Sequence, residues 1–357
     1  MANKGYFIIT DISGYTEYLT ESELDHAHEI LQGLFDVQMK HIKFPLKISG
    51  FRGDAIFMYT PEACFVNPQS FIETLENLYI VFSDTLRQMQ FNTTCECRAC
   101  RNMGKLDLKM CIHFGEYLIQ KLGEREELLG ADVIVPHRML KNHIIEQTGI
   151  KAYAVFSEAA AQALRLFELS QPLIPHTESY EHLGEVKMHV FDLGSVWKNA
   201  QEQNRCFVSK EEAWVFFETD LPFPPVLVWD YLTNPNLEAG FLKYDYAERT
   251  DNLGGRVRED SGFHCAHGDL HVNSKVLDWK PFEYYTSDQT ALGLSYRQTR
   301  RLIPIENGTR LAIYLTKPVE NGADEVRGVF QQAVDSGYEG LKSYIEQDIA
   351  SGRVTSE

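Results

Sequence analysis

The chain lacks any apolar run that could cross a bilayer. No window approaches the ~18 uninterrupted apolar residues that a spanning helix needs, so no membrane span is expected. The opening MANKGYFIITDISGY has no apolar signal core and carries Asp11 inside a strand-like segment. No secretory leader is expected, and the reading is cytoplasmic. Basic residues are scarce: 34 Lys and Arg against 51 Asp and Glu leave a formal charge of −17. That argues against an electrostatic grip on nucleic acid or anionic lipid. It leaves a nucleotide open, because a metal can supply local positive charge. Cysteine is limited to seven residues, an odd number with three tightly clustered. This suits a reducing compartment and a metal site better than a disulfide framework. Internal repeats and low-complexity tracts are absent too. What remains is an ordinary globular composition, 44% apolar and 24% charged, and 357 residues suggest two domains.

The first half alternates strand and helix patterns. Tyr6–Ile12 reads as a strand, and Ser22–Ile42 as a helix with Ser22 as N-cap. Ile48–Tyr59 reads as a strand pair around Gly53-Asp54, and Pro68–Gln88 as a helix with Phe71, Leu75, Leu78, Phe82 and Leu86 on one stripe. Leu106–Phe114 follows as a strand, then helices over Pro136–Glu146 and Ser157–Phe167, and a closing strand over Gly184–Leu193. The order β-α-β-β-α-β is that of a ferredoxin-like core with additions. Lys198–Arg205 is polar and aperiodic and reads as a linker between domains at 1–197 and 205–357. Beyond it come a β-rich opening over Cys206–Phe217, a short helix near Val226–Leu232, and strands broken by turns at Asn252–Gly255 and Glu306–Gly308. One long helix is expected from about Asp324 to Ile349. The fold class is α+β throughout.

Two segments carry chemistry, Phe7–Thr16 (FIITDISGYT) and Gly53-Asp54-Ala55. An Asp at a strand end and a Gly-Asp hairpin turn can converge on a pair of divalent ions. Mg²⁺ takes such hard oxygens, one or two carboxylates plus substrate phosphates. Each motif alone also reads as a loop start or a turn. Together, F-x-x-T-D-I-S-G-Y-T, a helix and G-D-A resemble the catalytic domain of class III nucleotidyl cyclases, the adenylate and guanylate cyclases. The resemblance continues through Cys111–Glu116 (CIHFGE), Gly130-Ala131-Asp132-Val133 and Arg138-Met139-Leu140, over roughly residues 5–193. In detail it is similar to a cyclase-like bacterial family of unknown function, marked by G-D-A, the cysteine cluster and H-R-M-L-K-N.

The resemblance implies roles for individual residues. Asp11 and Asp54 match the two metal-binding carboxylates, and Ile12 the residue whose carbonyl joins them, for two Mg²⁺ or Mn²⁺ ions. Arg138 matches the arginine that stabilises the transferring phosphate, and Lys187 the triphosphate lysine. Ile134 stands where the family has its transition-state asparagine, and loss of such a donor typically costs on the order of 10²–10³ in rate. The base-selecting lysine falls at Ile48. Lys47 is one residue away and would face the other side unless a bulge at Ser49-Gly50 corrects the register. Arg52 is a substitute, and Glu127 matches the second base-selecting position. Class III sites form between two catalytic domains, so a homodimer is implied.

Cys95-Glu96-Cys97-Arg98-Ala99-Cys100 puts three thiols on a polar loop. They read as three ligands of a structural Zn²⁺ or as free or redox thiols. Cys64, Cys111, His113 or a residue of another subunit are the candidates for a fourth ligand. The order of elements over 206–350, with Val276–Phe282 (VLDWKPF), resembles the SRPBCC (START-related) superfamily. That implies a helix-grip fold enclosing a cavity for a hydrophobic small molecule. On a single strand, Cys265, His267, Asp269 and His271 would share one face, as a metal site, as cavity lining or as ordinary packing. Three functions follow from these readings: a cyclase acting on a nucleoside triphosphate, a nucleotide-binding module without turnover, or a carrier whose cyclase-like half serves as a dimerisation platform.

Overall fold

A computed structural model describes residues 2–355 other than 66, 124, 170–171, 203–204, 251–255, 269 and 321. The chain divides into two compact units, one formed by Met1–Glu62 with Ile72–Gln203, the other by Ala63–Phe71 with Asn204–Glu357.

In the first unit the elements are β1 (Asn3–Ser13), α1 (Tyr15–Glu21), α2 (Leu24–His41), β2 (Lys47–Arg52), β3 (Ala55–Pro61), α3 (Pro68–Asn92), α4 (Arg98–Asn102), β4 (Asp107–Leu122), β5 (Arg125–Leu129), α5 (Ala131–Met139), α6 (Ile144–Thr148), β6 (Tyr153–Ser157), α7 (Glu158–Ala163), β7 (Ile174–Tyr180), β8 (Gly184–Asp192) and α8 (Leu193–Glu202). The sheet order is β2-β3-β1-β4-β6-β8-β7, with β5 paired to β4. Its β2-β3-β1-β4 portion is antiparallel throughout, which is the ferredoxin-like arrangement. β1 is buried from Gly5 to Thr10, so it reads as an apolar run rather than an alternation. One face is held by α2, whose buried Ala27, Ile30, Leu31, Leu34 and Gln38 recur at helical spacing. The buried Thr10 hydroxyl donates to the Gln38 side-chain oxygen at 2.9 Å, which satisfies a polar pair inside that layer. The other face meets α5, where Val133 clusters with Phe7, Ile9, Ala55 and Phe57.

Several expected boundaries move. Ser22 closes α1 instead of capping α2, which starts at Leu24 behind Glu23. Pro136–Glu146 is two short helices, α5 and α6, with Pro136 inside the first. Ser157 does cap α7, accepting from the Ala160 N–H, but that helix ends at Ala163. The polar stretch from Lys198 is mostly helical, within α8. Leu193, Val196, Trp197 and Ala200 form its apolar stripe, and Trp197 Nε1 and Gln201 Nε2 both donate to Asp84, at 2.8 and 2.9 Å.

The second unit contains β9 (Val215–Leu221), α9 (Pro225–Thr233), α10 (Pro235–Leu242), β10 (Tyr246–Arg249), β11 (Gly262–His267), β12 (Leu270–Lys280), β13 (Tyr284–Ala291), β14 (Leu294–Ile305), β15 (Gly308–Leu315), α11 (Ala323–Glu339) and α12 (Leu341–Ala350). Its sheet is one antiparallel array ordered β10-β11-β12-β13-β14-β15-β9. It wraps the C-terminal helices, whose Phe330, Val334, Tyr338, Leu341 and Ile345 join the core. The expected single helix is broken at Gly340, between α11 and α12. Residues 206–214 are not a strand, because their backbone is bound by side chains. Cys206 N–H donates to Asp278 and Val208 N–H to Thr299 Oγ1. Among the described residues no helix is long and apolar enough to cross a membrane.

Candidate functional site

Strand alternation puts Phe7, Ile9 and Asp11 on the α5 face of β1. Directly across from Asp11 lie Ala55 on β3 and Lys109 on β4. Lys109 Nζ sits 2.9 Å from an Asp11 carboxylate oxygen, with both side chains largely buried. Asp54 follows Gly53 in the two-residue turn joining β2 to β3. Gly53 has φ +64°, which a residue without a side chain adopts without strain. This turn brings the Asp54 carboxyl within hydrogen-bonding reach of Asp11. Partial burial and then the Asp11 charge together raise Asp54 to about 6, against the Lys109 ammonium. Two crowded carboxylates facing one ammonium form a half-buried, hard-oxygen pocket whose donor chemistry fits Mg²⁺ or Mn²⁺. Ile12, next along β1, is buried and pairs with Leu108. The β1–β3 register stops one residue earlier, at Asp11–Ala55.

The β2–β3 ladder shifts register between Ile48 and Gly50. The extra residue rotates the strand. Lys47 therefore lies opposite Tyr59 and Arg52 opposite Ala55, both on the Asp11 face, while Ile48 faces away. The Arg52 charge adds to burial in pushing His137, packed on Phe57, down to about 4. Arg138 is exposed in the last turn of α5, and Ile134 is 52% exposed on the same helix. Glu127 is exposed on β5, opposite Gln120 of β4. Lys187 is not brought to Asp11. Its neighbours Met188 and Val190 pack with Cys111 on the α5 side, so Lys187 points to the opposite face of the sheet. Lys109 is the site residue that the motif reading missed. A lone lysine in the otherwise apolar run Leu108–Ile112 was the available signal. Gly115 of the CIHFGE segment also gains a physical reason. Asp132 at the start of α5 accepts from Glu116 N–H at 2.7 Å, and a Cβ on Gly115 would collide with it.

The thiol cluster has a different fourth member from those expected. Cys64 and Cys111 are buried elsewhere, and His113 Nδ1 pairs with Ser157 Oγ at 2.7 Å. His26, in the first turn of α2, instead places Nδ1 3.3 Å from Cys97 Sγ. The Cys100 N–H, with His26 beside it, holds the Cys97 thiol down to about 7.

A family model described as a protein of unknown function (DUF2652) matches residues 31–148. The uncharacterized protein Rv2561/Rv2562 of Mycobacterium tuberculosis is 30% identical over 158 residues, covering 42% of this chain and 68% of that protein. The chain belongs to the family of that mycobacterial protein. Among solved structures, a bacterial light-regulated adenylyl cyclase is 11% identical, covering 57% of this chain and 98% of its own, with a TM-score of 0.41. The guanylyl cyclase Cya2 is 16% identical over 53% of this chain and 93% of its own, with a TM-score of 0.38.

The family model ends at residue 148, before the C-terminal unit begins its sheet. That unit encloses a cavity of about 160 Å³ lined by Phe263, Cys265, Val276, Tyr296 and Phe330, among others. Its polar wall is Arg300, which donates to Glu238 and to Tyr338 Oη, each at 2.6 Å, and also reaches the Tyr285 hydroxyl. The run from Phe263 to His271 is a hairpin, so Cys265 and His267 lie on β11 and His271 on β12 rather than on one strand. Asp269 lies outside the described residues. The turn instead stacks His264 on His271, with ring nitrogens 3.1 Å apart. Burial pushes the Cys265 thiol up to about 12, which leaves it a cavity-lining thiol. Trp229, Trp279 and Tyr285 pack as one aromatic core cluster.

Proposed function

We propose that residues 1–197 form a class III cyclase-like nucleotide site in the cytoplasm. It would bind a nucleoside triphosphate together with two divalent cations, Mg²⁺ or Mn²⁺. The observation that carries this is the Asp11–Asp54 pair, two carboxylates crowded at the end of a sheet with Asp54 displaced upward to about 6. Asp11, Asp54 and the Ile12 carbonyl would hold the cations, which when bound supply Lewis acidity to a phosphoryl centre and its nucleophile. Lys109 already sits on Asp11 and is the nearest cation for a phosphate oxygen. Lys47 and Arg52 share that face and offer donors to the base. Glu127 would serve as the second base-selecting residue. Arg138 would complete the site from a second copy, whereas Lys187, on the opposite face of the sheet, is left out of it. Leu118, Ile119 and Leu129 on the β4–β5 ribbon, with Phe51, are exposed apolar groups that a homodimer would cover.

Ile134 favours binding over turnover, since an exposed isoleucine offers no donor to a transferring phosphate. The second unit resembles SRPBCC domains. Its cavity, similar in volume to an engineered one of about 150 Å³ that takes up benzene, suits a small hydrophobic molecule with one polar group for Arg300. The test is thermal shift of the full chain with each triphosphate and Mn²⁺, together with mass spectrometry for cyclic product. The nucleotide shift should disappear in the Asp11→Ala, Asp54→Ala double variant. A shift that survives both substitutions overturns the site. Cyclic product that depends on Asp54 would establish turnover.

A further inference from the structure

Three thiols and one imidazole converge at a place the nucleotide site does not use. Cys95 and Cys97 lie on the loop before α4, Cys100 lies within α4, and His26 lies at the start of α2. His26 Nδ1 is 3.3 Å from Cys97 Sγ, 3.4 Å from Cys95 Sγ and 3.8 Å from Cys100 Sγ. All four donor atoms lie within 4.8 Å of one another. Zinc–sulfur bonds of about 2.3 Å and a zinc–nitrogen bond of about 2.05 Å at tetrahedral angles separate nitrogen from sulfur by about 3.6 Å. The observed spacings bracket that value. We propose that His26, Cys95, Cys97 and Cys100 form a closed Cys₃His zinc site, one ion per chain, that clips the start of α2 to the segment leading into β4.

Donor chemistry selects the metal class. Three soft thiolates with an imidazole suit zinc, whereas the Asp11–Asp54 pocket offers only hard oxygens. Neighbouring groups also hold the ligands in place. Glu23, next to α2, accepts from Ala99 N–H at 3.1 Å and from Arg98 Nε at 3.2 Å. The Tyr18 hydroxyl donates to the Ala99 carbonyl at 3.2 Å, and Cys97 Sγ accepts from Cys100 N–H. Four protein ligands leave no open position, so the ion is structural. Its place in the chain gives it a task. α1 and α2 follow the end of β1, which carries Asp11, and α4 leads into β4, which carries Lys109. The clip joins the two connections that flank that ion pair and so limits how far the two strands can shift at the nucleotide site.

The experiment is metal analysis of the full chain, purified under reducing conditions without chelator, followed by replacement with Co²⁺. One zinc per chain and the intense visible absorption of a tetrahedral thiolate cobalt site are expected. His26→Ala and Cys97→Ser should each lose the bound ion, while His26→Cys, which rebuilds the shell with a fourth thiolate, should keep it. If the first two variants do not fold, the cobalt spectrum of the wild type and the His26→Cys stoichiometry decide the matter. Reduced wild-type protein that holds no zinc and takes up no cobalt overturns the proposal. So does zinc retained in a Cys97→Ser, Cys100→Ser variant. Neither readout depends on nucleotide binding.

Discussion

Replacing Arg300 by methionine is expected to destabilise the C-terminal unit by about 3–5 kcal/mol, because it strands a buried carboxylate. Arg300 is 8% exposed, and its guanidinium answers Glu238 and two tyrosine hydroxyls at once. Burial already raises the Glu238 carboxyl above its ordinary value, and Arg300 is the group that opposes this. Without the arginine, Glu238 must ionise unpaired or keep its proton. The sign of the pH dependence follows. The folded variant binds that proton more tightly than the unfolded chain, so its deficit should be smallest in acid and grow as pH rises through the raised carboxyl value. Adding Glu238→Leu should recover most of the loss, since an apolar pair of similar volume needs no compensating charge. Urea unfolding followed by tryptophan fluorescence reads this unit well. Trp214, Trp229 and Trp279, three of the four tryptophans, lie within it. A single-variant cost below about 1 kcal/mol would show that the network is not what holds the cavity wall.

Asp54→Asn should stabilise the metal-free protein at neutral pH and weaken it once cation and nucleotide are present. Asp54 titrates near 6 in the fold against an ordinary value of 3.8, so the folded chain holds the extra proton between those pH values. Stability contributed by this group therefore falls as pH rises through that window, and the native state above it carries a repulsion that asparagine removes. The full displacement would be worth about 3 kcal/mol. With about half of the carboxyl facing solvent, screening reduces it to about 1 kcal/mol. The two proteins should melt together below about pH 4 and separate above about pH 6. Mn²⁺ with a bound triphosphate should reverse the order, because only the wild type gains the full linkage stabilisation. Equal melting at all pH values without metal would contradict the electrostatic account of the pair.

The parts of the site that could be read in advance are those written in contiguous residues. Asp11 sits inside a short strand motif, and Asp54 is fixed by a two-residue turn whose first member has positive φ. The ferredoxin-like order of β1 to β4 followed from alternating periodicities in the same way. Lys109, despite its apolar surroundings, and His26 went unassigned for one reason: each matters through a partner far along the chain, across a ladder or across 69 to 74 residues of sequence. The bulge at Ser49 could be posed as a condition but not decided, because an extra residue in one strand is defined only by the strand opposite. The face of Lys187 depended on the register of β8 against β6, which no local pattern encodes. Polar composition misled at Lys198, because the apolar stripe of that helix is carried mostly by Leu193, Val196 and Trp197 before it, and Gln201 adds a hydrogen bond to Asp84.

β4 is 16 residues long, and its company changes along its length. Among the described residues, Lys109 to Ile112 have neighbours on both sides, β1 and β6; from His113 to Tyr117 the ladder partner is β1 alone; from Leu118 onward only β5 remains. A two-stranded ribbon is marginally stable by itself in water. Amide hydrogens along this one strand should therefore exchange with deuterium at progressively faster rates from the Lys109 end to the Leu122 end. Slow exchange at the ribbon, appearing as protein concentration rises, would report a second chain settling over Leu118 and Ile119. One strand thus runs unbroken from the carboxylate pocket to that exposed apolar surface.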